Sequence, residues 1–250
     1  MNFNLHNVNF TKNNIHKNNI QFYSQPVDNC MTDKILFEKF MNVKNCNGVF
    51  LELGACDGVY LSNTYALEKY LGFTGVLIEP GKNFFNNLIK NRPNCKNFNC
   101  LVGTNEGEID YIGDGTGVGG ALHLLEKTHD SGNNYWIDAW KLNKNNITKV
   151  PCRKLSDILK EANIKYIDFW SLDVEGAELE VLKTMDWSIP VYFICMEVAA
   201  WGEIGKQNVE ECRQILRANG FTTDGKRYGL DEFWINENYF RKNLLFSNNR

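Results

Sequence analysis

Four short apolar runs constrain the fold of this chain more than any other feature: VFLEL (49–53), GVLIEP (75–80), IDFWSLDV (167–174) and VYFICMEV (191–198). Each has strand length and is rich in β-branched and aromatic residues. Each is followed by a segment with helical spacing: LSNTYALEKYLG, FFNNLIKNRP, GAELEVLKTM and NVEECRQILRANG. Runs this apolar are buried on both faces, and buried strands alternating with helices specify a mostly parallel sheet with helices on either side. A shorter run, NFNCLVG (97–103), reads as a further strand. KLSDILKEANI (154–164) reads as an amphipathic helix, and FTTDGKRYGLDEFWINENY as two C-terminal strands joined by a glycine-containing turn.

The flanks are less regular. Residues 1 to about 30 are rich in asparagine with little periodicity, which reads as a loose arm. TDKILFEKFM (32–41) has helical spacing, with Thr32 placed to cap it. Residues 1–45 therefore read as an arm with a leading helix, and 46–250 as the folded domain. The interval 113–147, Gly-rich and then Trp-rich, reads as a lid inserted in that domain.

Bulk properties exclude several classes. A chain of 250 residues buries a core without staples. Its net charge of −3 and pI near 5.9 offer no general attraction to nucleic acid or an anionic membrane. The longest apolar run is too short to span a bilayer and contains Glu197. Eight scattered cysteines form no C-x-x-C, four histidines complete no zinc spacing, and no signal peptide is recognisable. Reduced thiols and a cytoplasmic location are the expectation.

Two glycine stretches compete as a nucleotide cradle. GDGTGVGG (113–120) contains a literal G-x-G-x-x-G in Gly115, Gly117 and Gly120, with Asp138 near the distance of a ribose-binding acid. Such a loop must join a buried strand to a helix. EIDYI before it alternates polar with apolar residues, as a half-exposed strand does, and no second buried strand follows to carry Asp138. LELGACDG (51–58) meets the requirement, and the next run ends in Glu79, placed to accept both ribose hydroxyls. Its flanking acids, Glu52 and Asp57, would repel a diphosphate but suit a sulfonium nucleoside with an ammonium tail. That chemistry is S-adenosylmethionine, and the 113–120 stretch is left as a lid hinge.

LELGACDGVYLSNT, GVLIEP and IDFWSLDVEGAELEVLK resemble the FkbM-type methyltransferases, over about residues 46–236. The resemblance implies a Rossmann-like class I methyltransferase fold: a mostly parallel seven-stranded sheet with an antiparallel C-terminal edge strand. It implies S-adenosylmethionine as donor and O-methylation of a sugar, polyketide or similar small molecule. The expected cofactor contacts are Glu52, Gly54, Ala55, Asp57, Gly58, Asn63, Thr64, Glu79, Pro80, Val102 and Asp173.

For the chemistry, Asp173, Glu175 and Glu197 stand at the carboxyl ends of neighbouring strands. One of them can serve as base for a hydroxyl acceptor. Alternatively Asp173 and Glu197 hold Mg²⁺ or Mn²⁺. His123 is a second candidate base, set against the ordinary role of a surface histidine. Glu178 reads as a helix-start acid, and Trp136 and Trp140 as packing or an acceptor platform. The acceptor is expected to be a small molecule or glycan. The competing readings are a nucleic-acid methyltransferase, a cofactor-binding module without turnover, and an oxidoreductase using 113–120.

Overall fold

The computed structural model describes residues 20–27, 30–37, 48–128, 135–200, 202–236 and 238. The four apolar runs form β1 (Val49–Leu53), β2 (Thr74–Ile78), β8 (Ile167–Leu172) and β9 (Val191–Glu197). With β3 (Lys96–Phe98) they form the parallel part of the main sheet, in the order β3-β2-β1-β8-β9. The strand order reverses at β1, so the carboxyl ends of β1 and β8 flank the topological switch point where ligands enter such sheets.

Beyond β9 lie β12 (Asp231–Asn236) and β10 (Phe221–Thr222), both in antiparallel pairings, and the two-residue β11 (Arg227–Tyr228) adds to β12. The sheet thus has eight strands among the described residues. The C-terminal strand is not its edge, because β12 runs between β9 and β10.

Alternation along each strand fills both faces. Leu51, Leu53, Trp170 and Ile194 meet α6 (Leu155–Glu161), α7 (Glu178–Lys183) and α8 (Gly202–Ala218). Phe50, Leu77, Phe169 and Phe193 meet α2 (Tyr65–Leu71) and α3 (Lys82–Asn91). The second face also takes Ile35, Leu36 and Phe37 from the expected leading helix, with Ile20, Phe22 and Tyr23 of the arm expected to be loose packed against the same cluster. Residues 20–27 and 30–37 pack on the domain, around α1 (Thr32–Ile35). Thr32 does not cap that helix: its hydroxyl donates to Asp231 Oδ2 at 2.8 Å instead. Phe40 and Met41 lie outside the described residues.

The expected strand at 97–103 is two. β3 ends at Phe98, and β4 (Leu101–Val102) belongs to a second, four-stranded sheet, β4-β7-β5-β6. At the break, the Asn99 side-chain amide donates to the carbonyls of Glu79 (2.8 Å) and Pro80 (2.9 Å), which turns the chain out of the main sheet. The second sheet is completed by β5 (Gly107–Ile112), β6 (Gly120–Ala121) and β7 (Thr148–Arg153), with α4 (Leu122–Thr128) and α5 (Tyr135–Ala139) between β6 and β7. No helix among the described residues is long and apolar enough to cross a membrane.

Candidate active site

One cavity of about 300 Å³ opens at the switch point. The first loop forms its floor. Gly54 has φ +76°, and a Cβ there would stand 2.2 Å from the Asp173 carbonyl oxygen, so only glycine lets the ends of β1 and β8 approach this closely. The amides of this loop are already engaged. Gly54 and Ala55 N–H donate to the Ile78 carbonyl, Gly58 N–H to Ala55, and Cys56 N–H to Glu79 Oε2. The loop therefore lacks the row of outward N–H groups on which a diphosphate sits.

Glu79, just past β2, is 4% exposed. Its two oxygens accept from Cys56 N–H (2.9 Å) and Gly81 N–H (2.7 Å), and the carboxylate faces the cavity. Burial pushes its pKa up to about 8; the two amide donors oppose the rise and the charge of Asp114 adds to it.

Glu52 and Asp57, expected to receive a cationic ligand, are placed differently. Glu52 lines the cavity, but it accepts from Ser62 Oγ, Asn63 N–H and Thr64 Oγ1 and so fixes the start of α2. Burial raises its pKa, against the nearby charge of Arg92. Asp57 Oδ1 accepts from the amides of Val59 (2.9 Å) and Tyr60 (2.6 Å), closing its own turn away from the cavity. Asn63 reaches across to donate to Ser171 Oγ at 2.8 Å, tying α2 to β8 at the cavity wall.

Beneath the loop lies a residue that carried no signal in the sequence. Arg92, beside Pro93, looks like a surface cation and is fully buried. Its guanidinium donates to the Gly58 carbonyl, to Thr64 Oγ1 and to Glu68, so the loop, α2 and α3 share one polar anchor.

The second cluster follows β8 and β9. Asp173, Glu175 and Glu197 all line the cavity, as expected, and Asp231 joins them because it pairs with Glu197 in the β9–β12 ladder. Burial, then the charges of Asp231 and Glu178, push the Asp173 pKa up to about 7, while a hydrogen bond with Glu197 opposes them. Burial followed by the charge of Asp173 holds Glu175 and Glu197 well above the usual carboxylate range. Glu175 sits at φ +55°, unusual for a residue with a side chain. The Glu178 carboxylate accepts from Val174 and Gly176 N–H, holding the loop that carries Glu175, and stays outside this cavity.

Gly54, Glu52, Asn63, Glu79, Pro80, Val102, Asp173, Glu175 and Glu197 thus share the cavity. Ala55, Gly58 and Thr64 stand behind it, as does Asp57. His123 is exposed on α4 and does not line it, so it is not placed to act as base. Trp140 lines the cavity, whereas the side chain of Trp136 lies outside the described residues. Asp231 was findable only from topology: an antiparallel strand beside β9 must begin where β9 ends.

The literal G-x-G-x-x-G occupies a β-hairpin. Tyr111 and Ile112 of β5 pair with Ala121 and Gly120 of β6, and the loop between them forms another wall of the cavity. Asp114 accepts from the Asn83 amide at 2.9 Å, fastening this hairpin to the start of α3. A metal through Asp173 and Glu197 lacks support in the ligand set: among the described residues, no three His, Cys, Asp or Glu side chains form a group that could hold an ion.

A doubly wound sheet, a glycine floor at its switch point and an acid after the second strand define a Rossmann-like class I methyltransferase. The profile of the methyltransferase FkbM domain matches residues 52–223, more than half of the chain, and the chain belongs to that family. No curated protein matches it. Among solved structures it is similar to Aeropyrum pernix fibrillarin in complex with natively bound S-adenosyl-L-methionine (TM-score 0.43, 9% identity, 82% of this chain and 71% of that one). It is also similar to precorrin-6y C5,15-methyltransferase from Geobacter metallireducens GS-15 (TM-score 0.40, 9% identity, 88% and 93%). A third is the human methyltransferase 10 domain containing protein (TM-score 0.38, 13% identity, 81% and 76%). The family assignment rests on the domain match. The protein is a methyltransferase dependent on S-adenosylmethionine.

Proposed function

We propose that the enzyme methylates a hydroxyl group of a small polar acceptor such as a sugar or glycan unit. The observation that carries this reading is the Asp173–Glu197 pair, two hydrogen-bonded carboxyls at adjacent strand ends inside the cavity, with Asp173 poised near neutrality. A proton acceptor is most effective when its pKa lies near the working pH.

The residues present fit S-adenosylmethionine. The glycine floor admits a close ligand without a side chain, and Glu79 presents a carboxylate with lone pairs left for two ribose hydroxyls. When bound, the cofactor supplies a methyl group made electrophilic by its sulfonium centre. Glu79 holds the ribose end, while Asn63 and Ser171 fix the wall between the first loop and β8. With the cofactor bound, Asp173 would take the acceptor's hydroxyl proton as its oxygen receives the methyl group and the sulfonium is released as a neutral thioether. Glu197 shares that proton, which spreads the charge change over both carboxyls.

The test is Asp173→Asn, which keeps the shape and removes the proton acceptor. Turnover should fall by about 10²–10⁴, with cofactor affinity changed far less, as read by calorimetry. Wild-type turnover in the variant would refute the role of Asp173.

A further inference from the structure

Resting on the hydroxyl-methylation reading, we propose that the acceptor subsite is built by two segments outside the matched domain. They are residues 24–33, as far as they are described, and 228–231. The subsite they form takes hydroxylic acceptors that carry no phosphate or carboxylate.

The first segment is a built strap. Asp33, fully buried, accepts from Tyr23 N–H (2.6 Å), Ser24 N–H (3.4 Å) and Ser24 Oγ (2.7 Å), folding the strap on itself. Val27 and Cys30 exchange both backbone hydrogen bonds, at 2.9 and 2.7 Å. The strap is fastened at two places. Ser24 bridges to Leu61 beside the first loop, and Thr32 Oγ1 donates to Asp231 Oδ2 at 2.8 Å, across 199 residues of sequence. At the second fastening, Gly229 has φ +66°, and a Cβ there would come within 2.9 Å of the Val27 Cβ, so the turn lies directly on the strap.

This places Thr32 on the cavity wall with Asp231, at the end bounded by Glu197, with Cys30 and Tyr228 also on the wall and Gln25 nearer the first loop, next to the Ser24–Leu61 bridge. The ribose acid Glu79 belongs to the other side of the switch point, after β2. The cavity is lined by six acids: Glu52, Glu79, Asp173, Glu175, Glu197 and Asp231. No lysine, arginine or histidine among the described residues lines it. An anionic acceptor would find no cation to compensate its charge at low dielectric, and would be repelled by whichever of these carboxyls is ionised. Hydroxyl groups would instead find acceptor oxygens and the amide of Gln25.

The experiment uses the full chain, with Thr32→Val and with Gln25→Ala, an exposed position whose variant is expected to fold. Each protein is titrated with S-adenosylmethionine, then assayed on methyl glycosides and on the matching sugar phosphates and uronic acids. Cofactor affinity should stay within about twofold, while KM for a neutral glycoside rises roughly tenfold in Thr32→Val, because the hydroxyl that holds Asp231 at the cavity wall is gone and that carboxyl no longer meets the acceptor in place. Wild type should prefer the neutral glycoside over its phosphate on the order of a hundredfold in kcat/KM. A tenfold loss of cofactor affinity in either folded variant would move the strap to the donor end and overturn the proposal. So would unchanged KM in both variants, or preferred turnover of the phosphates. Cofactor binding with no turnover of any hydroxylic acceptor would fell the hydroxyl reading itself, and this proposal with it.

Discussion

With the ribose on Glu79, as proposed above, burial of that acid should make cofactor binding a proton-linked event. Only the ionised carboxylate accepts two ribose hydroxyl hydrogen bonds, yet its pKa in the free enzyme stands at about 8. Below that pH the competent form is a minority, and apparent affinity is reduced by its fraction. The ionised fraction is about 1% at pH 6, about 9% at pH 7 and about 90% at pH 9, so the dissociation constant should fall roughly ninety-fold between pH 6 and 9. Adenosine is the suitable probe, because it carries the ribose but no group that titrates in that range. Calorimetry at pH 7 in buffers of different ionisation enthalpy should show nearly one proton released per adenosine bound, since a protonated acid is driven to its anion. Glu79→Gln should abolish both the proton release and the pH slope. At high pH it should weaken binding roughly ten- to a thousand-fold through the loss of hydrogen bonds to a charged acceptor. An affinity flat from pH 6 to 9 with no proton release would refute the placement of the ribose on this acid.

Three further outcomes follow from the same geometry. Gly54→Ala forces a left-handed residue that costs about 1–2 kcal/mol and drives a methyl group against the Asp173 carbonyl. Cofactor binding should be lost and the melting temperature lowered, and a variant binding normally would contradict the floor described here. Arg92→Met removes the cation from a buried network and leaves Glu68 and Glu52 uncompensated, at a cost of about 3–5 kcal/mol in urea unfolding. For pH, the raised pKa of Asp173 (about 7) and Glu79 (about 8) means that the native state holds protons which the unfolded chain has already released. The ligand-free protein should therefore lose stability as pH rises from about 4.5 to about 8, as thermal melts in constant ionic strength can show, and a melting temperature rising over that window would reverse the sign argued here.

The central sheet was readable because its strands are buried on both faces, and such strands announce themselves as uninterrupted apolar runs. Strand β7 did not, since only Val150 and Cys152 are buried in it and the outward-facing Pro151 between them argues against a strand. The element before the G-x-G-x-x-G was read correctly in kind, as a half-exposed strand. Its hairpin geometry was invisible because pairing of β5 with β6 is a tertiary fact. Glu79, Asp173 and Glu197 were legible as strand-end acids. The uses of Asp57 and Glu52 were not, because hydrogen bonds to neighbouring amides and hydroxyls decide whether a carboxylate faces a ligand or its own turn. Thr32 and Asp231 meet only after the whole sheet has assembled, and no local pattern carries a contact of that range.

Asn99 joins the two sheets at a sensitive point. With one amide group it grips the carbonyls of Glu79 and Pro80, and two residues later the chain enters the smaller sheet that bears the glycine hairpin. The smaller sheet is thereby anchored on the backbone that carries Glu79. Displacing the hairpin should therefore strain the backbone that aims the Glu79 carboxylate, and hydrogen exchange in β5 and β6 with and without adenosine would register that link. Two contacts, Asn99 on the Glu79 and Pro80 carbonyls and Asp114 on Asn83, thus tie the hairpin wall of the cavity to the backbone around Glu79.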